Sequence, residues 1–367
     1  MRMDDEQHGF CQGVGRLMQQ VSREQDVVLH CTLVTPLKNE RDNVEQLWNA
    51  IQGQTVKPDE WIITDNGSTD GTYEWLLEHA PRSPSPVLVL SLPGYTIAKM
   101  MNTAISSAQY DIIACCHGGT RIPQDWLENL LKPFIEDPTV DVSAGVWEPY
   151  GKTPFERWVA STMHVDIEKL DERTYLPATR SMAFKRSTWE RVGGFPEWLP
   201  KFGEDTLFAI RLHSAGCKFV IARGAKVGWR PKSSLSALLK QEYLYGEANG
   251  LIGLKRKLAG LVRIPVTLVS AIVLGIATKD VATAWVALIA MIAAHIMYIA
   301  VSNNSGKLGV PIFRGYFFRY WLLHAAYDVG YLRGIVLRWL GKVLVPIQDV
   351  QAVRMYSSRL ERGQSLV

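Results

Sequence analysis

The sequence predicts an α/β protein with a mostly parallel sheet, continued by an apolar and amphipathic C-terminal region. Three observations carry that expectation. Short runs rich in Val, Ile, Leu and Thr alternate with segments of helical spacing, the order that builds a parallel sheet covered by helices. Polar, glycine-bearing stretches sit directly behind those runs, where such sheets bind ligands. From Leu258 onward the composition turns apolar.

Val27–Val34 reads as the first strand, and Glu40–Ile51 follows as a helix with apolar positions at Val44, Leu47, Trp48 and Ile51. Glu60–Asp65 is a second strand and Thr69–His79 a helix entered through a turn. Val87–Ser91, Tyr95–Ala108 and Asp111–Cys116 supply a third strand, a helix and a fourth strand. Farther on, Thr206–Ala215 has helical spacing at Leu207, Ile210 and Leu212. Ile264–Thr278 and Val281–Val301 are apolar runs separated only by Thr278-Lys279-Asp280, and the second is long enough to cross a bilayer. They predict a tight transmembrane hairpin, with a pair of buried core helices as the bland alternative. Lys255, Arg256, Lys257 and Arg263 precede the hairpin, and Lys307, Arg314 and Arg319 follow it. This places both ends and the N-terminal domain on the cytoplasmic side. Tyr316–Leu340 mixes aromatic and aliphatic residues with Arg319, His324, Asp328, Arg333 and Arg338, and is expected in the membrane interface.

The 367 residues suffice for one large domain with an appendage, or for two domains. A net charge of +4, from 40 Lys+Arg against 36 Asp+Glu, argues against a dedicated nucleic-acid binder. The five cysteines lack framework spacing, and Cys115-Cys116 lacks the two-residue gap of a zinc or redox pair, so reduced, buried thiols are expected. Met1–Asp26 is polar and carries Asp4, Asp5 and Glu6, unlike a secretory leader.

Strand one ends in "TPLKNERDN", strand two in "TDNGSTDGT" and strand four in "CCHGGT". Gly67 and Gly71 permit a tight turn, and Ser68, Thr69 and Asp70 can cap the next helix. Asp65 stands at its strand's end, facing the expected crevice. Read alone, this loop serves a helix cap as well as it serves a ligand.

Together, "TPLKNERDNVEQLWNAIQGQT", "IITDNGSTDGT", "AKMMNTAISSAQYDIIA" and "VGGFPEWLPKFGEDTLFAIRLHSAG" resemble four ordered motifs of glycosyltransferase family 2. Its members are inverting nucleotide-sugar enzymes of the GT-A fold. The likeness spans roughly Val28–Gly250. It implies a GT-A nucleotide-sugar-binding domain, with Pro36 and Glu40 lining the nucleotide pocket and Asp65 accepting a hydrogen bond from the base. It implies Lys99 near the diphosphate, Asp205 as general base on the acceptor hydroxyl, and Glu204 as its support. Asp205 also falls at a helix start, where a negative charge is favoured for structural reasons alone. Arg180 in "PATRSMAF", Trp229-Arg230 in "VGWRP" and Tyr245 in "QEYLYGEANG" are weaker candidates for the acceptor or phosphate side. The QxxRW form of processive relatives is absent.

The family places Asp-x-Asp after the fourth strand to hold Mn²⁺ or Mg²⁺ against the leaving diphosphate. Here the position reads His117-Gly118-Gly119. Three readings stand open: His117 ligates a metal through a neutral imidazole nitrogen; or cationic His117, Lys99 or Arg180 and the amides of Gly118 and Gly119 hold the diphosphate without metal; or the chain is a catalytically degenerate, nucleotide-binding membrane scaffold.

The resulting expectation divides the chain into an N-terminal extension (1–26), a GT-A domain (27–257), a transmembrane hairpin (258–302) and an interfacial C-terminal region (303–367). The GT-A domain has a nucleotide half at 27–120 and an acceptor half at 121–257. Such an enzyme moves a sugar from a nucleoside diphosphate to a hydroxyl with inversion. Family habit favours a UDP-sugar over a GDP-sugar. The hairpin points to the bilayer, to a polyprenyl-linked glycan acceptor in envelope polysaccharide assembly, and to the cytoplasmic face of the inner membrane.

Overall fold

The computed structural model describes residues 29–163, 166–254, 269–270, 272–283, 285–290, 293 and 322–363. Seven strands form one sheet in the order β3-β2-β1-β4-β6-β5-β7. These are β1 (Cys31–Leu37), β2 (Glu60–Asp65), β3 (Val87–Ser91), β4 (Ile112–Cys115), β5 (Val142–Pro149), β6 (Met182–Lys185) and β7 (Phe219–Trp229). All neighbours run parallel except β6, which is antiparallel to β4 and β5. β1, β2 and β4 are buried along their whole length, which explains why they read as continuous apolar runs rather than alternating ones.

Alternate residues of these strands feed two cores. On one face Leu33, Trp61, Ile63 and Ala114 pack with α1 (Arg41–Gln52), α2 (Thr72–His79) and α4 (Trp126–Glu136). On the other, Val34, Ile62 and Ile113 meet α3 (Ile97–Ser106) and an aromatic group of Phe184, Phe195 and Phe208. Val159 of α5 (Pro154–Thr162) packs with Leu238 and Leu323, α6 (Arg186–Arg191) lies against β6, and α7 (Glu204–Ser214) carries Phe208.

Element bounds differ from expectation for local reasons. β1 lies later, because its register with β2 runs on to Leu37 opposite Asp65; Val27 and Val28 lie outside the described residues. α2 starts at Thr72, because Asp70 caps it by accepting from the Thr72 amide and hydroxyl, and Gly71 enters at φ 91°. α7 begins at Glu204, two residues earlier than its apolar spacing indicated. Cys31, Cys115, Cys116 and Cys217 are free and buried, as expected; Cys11 lies outside the described residues.

The C-terminal region requires a correction. Its helices α9 (His324–Trp339) and α10 (Ile347–Gly363) pack on the acceptor half instead of forming a separate tail. α9 crosses α8 (Leu235–Ile252) at Gly246, Gly250, Gly330 and Gly334. A Cβ on Gly246 would come within 1.9 Å of the Tyr327 carbonyl oxygen, so the two backbones touch. α10 docks on α7 through Asp349, which pairs both oxygens with Arg211 at 2.6 and 2.9 Å and accepts from Trp198. About half of the predicted hairpin falls outside the described residues. Where it is described, a helical stretch ends at Lys279, which takes a positive φ of 51°, and Asp280 caps the next through the Thr283 amide. Among the described residues no helix is long and apolar enough to cross a membrane.

Candidate active site

The sheet order reverses between β1 and β4, and their carboxyl ends open a crevice there. β1 leads to Glu40, whose amide donates to Thr72 Oγ1 at 2.9 Å. β4 leads to His117-Gly118-Gly119. The two segments touch where the acids are missing. A Cβ on Gly118 would lie 2.7 Å from both Glu40 Cγ and Leu37 Cδ2, so glycine is what admits the Glu40 side chain. Gly119 turns the chain at φ 69°. Glu40 Oε2 accepts from Asn43 at 2.8 Å, and burial raises the carboxyl's pKa against the opposing effects of Asn43 and the Lys232 charge.

Two cavities meet over this crevice. One, of about 310 Å³, is lined by Glu40, Asn43, Gly118, Gly119, Glu156, Trp229, Arg230 and Lys232. The other, of about 370 Å³, is lined by Trp147, Phe202, Glu204, Asp205, Tyr245, Asn249 and Tyr327. His117 and Arg180 line both, so they form the shared wall.

Arg180 is half-buried. Its guanidinium lies 5.6 Å from the Trp147 ring centre and 5.2 Å from that of Trp229, and the two indoles meet edge-on. Among the described residues no carboxylate pairs with it. Arg230, in contrast, donates to Glu156 at 2.7 Å. That bond, with the Thr153 and Lys152 amides, draws the Glu156 carboxyl down to about 2 and keeps it ionised.

The acidic pair opens α7. Gly203 enters at φ 89°, and a Cβ there would press on Ala248 and Ile252 at 3.0 Å. Both carboxyls are raised, by burial first. For Glu204, pushed up to about 8, the neighbouring Asp205 charge adds to burial. Two groups favour ionised Asp205: the Arg180 charge, and the Thr206 amide, which donates to Oδ1 at 2.7 Å. Glu204 Oε2 is buried without a hydrogen-bond partner, so Glu204 holds the proton and Asp205 the charge. Tyr245 closes this pocket, accepting from Gln241 at 2.7 Å and meeting Phe202 edge-on.

Of the two charge states open for His117, the site favours the neutral one. Burial and the adjacent Arg180 drive its pKa down to about 3, so it is a neutral imidazole and not a cation. Its Nε2 is engaged with Thr179 Oγ1 at 2.8 Å. Among the described residues no three His, Cys, Asp or Glu side chains converge to hold a metal ion. Three nominated residues line neither cavity. Pro36 is buried in β1 opposite Thr64. Asp65 gives both oxygens to Ser68, taking its amide at 2.9 Å and its hydroxyl. Lys99 is exposed and sits 4.0 Å over the Tyr95 ring, so it stands outside both cavities. Sequence reasoning missed Trp147, Glu156, Lys232, Asn249 and Tyr327. Only Glu156 left a local signal, in the Thr-x-x-Glu box that starts α5.

Residues 32–195 match the model of glycosyl transferase family 2. The chain is 26% identical over 210 residues to the O-antigen chain rhamnosyltransferase WbaN of Salmonella anatum, covering 53% of this chain and 64% of that one. It is 24% identical over 208 residues to the O-antigen chain rhamnosyltransferase RfbN of Salmonella typhimurium, covering 53% and 65%. The match thus spans just under two thirds of each relative's length. Among solved structures, the mannosyltransferase PcManGT from Pyrobaculum calidifontis, in complex with GDP-Man and Mn²⁺, superposes with a TM-score of 0.53. That likeness has 20% identity over 89% of this chain and 93% of that one, and shows the same fold.

Proposed function

We propose, from the premise that the chain belongs to glycosyltransferase family 2 through residues 32–195, that it is an inverting glycosyltransferase of polysaccharide assembly. It takes a sugar from a nucleoside diphosphate and passes it to a hydroxyl of a growing glycan. The observation that carries this reading is the wall shared by the two cavities. A cleft bearing cations meets a pocket bearing a buried carboxylate pair, at His117 and Arg180. Single displacement with inversion needs this arrangement, with the leaving group on one side of the reacting carbon and the base on the other.

Asp205 takes the acceptor proton. Glu204 stays protonated beside it and prevents a second charge in the pocket. Glu40 addresses the ribose, with Pro36 and Asp65 behind it on the base side. The O-antigen rhamnosyltransferase relatives support a hexosyl or deoxyhexosyl donor, and family habit places a UDP-sugar ahead of a GDP-sugar.

The acceptor is lipid-linked and the enzyme acts at the cytoplasmic face of a membrane. Two features support this. Val329, Leu332, Val336 and Trp339 project exposed from α9, the helix whose Tyr327 lines the acceptor pocket. Ile272, Ile276, Val281 and Trp285, on either side of Lys279, are exposed as well. The test is transfer from a panel of UDP-, GDP- and dTDP-sugars to lipid extracts and to soluble glycans, with product stereochemistry read by NMR. Transfer to a lipid-linked acceptor with inversion is expected. An unchanged donor pool across the panel, with Asp205→Ala indistinguishable from wild type, would leave a nucleotide-binding scaffold instead.

A further inference from the structure

Resting on that reading, we infer that the donor diphosphate is held and neutralised without a divalent metal ion, by Arg180 in its two-indole clamp together with Lys232. The argument begins with what the cleft offers a cation. Both family acids are absent at His117 and Gly119. Two carboxylates remain in the lining, Glu156 and Glu40. Glu156 is fully engaged: it takes Arg230 at 2.7 Å on one oxygen and two backbone amides on the other. Glu40 already accepts from Asn43. The imidazole of His117 has one nitrogen on Thr179. A divalent ion here would find one available carboxylate and would sit among Arg180, Arg230 and Lys232, which repel it. The residues present do not fit a metal.

They do fit an anion. Arg180 and Lys232 make no close ion pair among the described residues, acting on Asp205 and Glu40 only across a gap, and both line the cleft. The half-buried guanidinium is held between the faces of Trp147 and Trp229, with the Asp205 carboxylate as its electrostatic neighbour on the far side of the wall. The clamp leaves the guanidinium N–H edge available for a bidentate contact with phosphate oxygens. Arg180 and Lys232 supply two positive charges, matching what one Mg²⁺ or Mn²⁺ would bring. Gly119 adds a positive-φ turn beside them with no side chain in the way.

The transfer then balances within the protein's own groups. The acceptor oxygen bonds the anomeric carbon as that carbon's bond to the distal phosphate oxygen breaks. The bonding pair leaves with the nucleoside diphosphate, whose added negative charge meets Arg180 and Lys232. The acceptor proton goes to Asp205. Because Arg180 also borders the Asp205 pocket, one cation serves both the leaving group and the base, favouring the ionised carboxylate before transfer.

The experiment uses the full-length chain in detergent, titrated with UDP, GDP and dTDP in EDTA, in Mg²⁺ and in Mn²⁺. At least one nucleotide is expected to bind equally in all three, and sugar transfer is expected to persist in EDTA. Arg180→Met and Lys232→Met should each weaken that binding about ten- to hundredfold, with Arg180→Lys between them and wild type. Thermal melts of the variants confirm that they are folded. Binding or transfer that disappears in EDTA and returns with Mn²⁺ overturns the inference and leaves the transferase reading intact. Absence of nucleotide binding in every condition would overturn both.

Discussion

Glu204 and Asp205 stand side by side at the start of α7, and their unequal surroundings make one an acid and the other a base. Ionised Asp205 has Arg180 and the Thr206 amide, whereas Glu204 has an unbonded oxygen in a buried site. Asp205→Asn should lower kcat about 10²- to 10⁴-fold with donor affinity retained, as read by turnover and nucleotide titration. Because the Asp205 pKa is raised, the acid limb of the kcat profile should lie above the ordinary carboxylate range. Glu204 binds its proton more tightly folded than unfolded. Folding therefore loses stability as pH rises from about 4.5 to about 8, the interval between its two pKa values. Glu204→Gln keeps the proton-bearing shape and should flatten that decline in melting temperature across the interval. At Gly118, alanine would push Glu40 out of the crevice, and nucleotide affinity should fall about tenfold or more, as measured by titration. The Glu-Asp pair was legible in the sequence because it sits in one short motif. The clamp on Arg180 was not. Its parts lie on β5, in the turn before β6 and on β7, and both indoles are more than thirty residues from Arg180 in the sequence.

At the scale of elements, the nucleotide half was readable because buried parallel strands carry their own signal in runs such as "WIITD" and "DIIAC". The α8–α9 pair was hidden by the same logic. Gly246, Gly250, Gly330 and Gly334 lower helix propensity, and their value appears only when two helices approach closely. The close approach places Tyr327 where Asn249 Nδ2 donates to its hydroxyl at 2.6 Å, on the rim of the acceptor pocket. A Cβ at Gly330 would meet the Tyr243 carbonyl oxygen at 1.9 Å, so the backbones themselves must part. Gly330→Val should cost about 3 kcal/mol or more in chemical denaturation. It should raise the acceptor KM more than the donor KM, since the displaced helix borders only the acceptor side.

Across the whole molecule, a buried ion pair ties the C-terminal helix α10 to the acceptor half. Arg211 sits in α7, downstream of Glu204 and Asp205, and Asp349 is 138 residues farther along. Arg211 NH1 also donates to the Gly194 carbonyl at 2.8 Å, so the pair links α10, α7 and the loop before Phe195. Asp349→Ala strands a buried guanidinium and should destabilise the fold by about 3–5 kcal/mol, visible as a lowered melting temperature. Charged residues 138 apart offer no pattern to a sequence reader, which is why the docking of the C-terminal helices on the acceptor half is not legible in the sequence. The same bond has a consequence during synthesis. The helix carrying the base is translated long before the helix that locks it, and the apolar stretch from Leu258 emerges between them. A chain ending short of Asp349 would keep Arg180, Glu204 and Asp205 but leave the buried Arg211 guanidinium without its carboxylate.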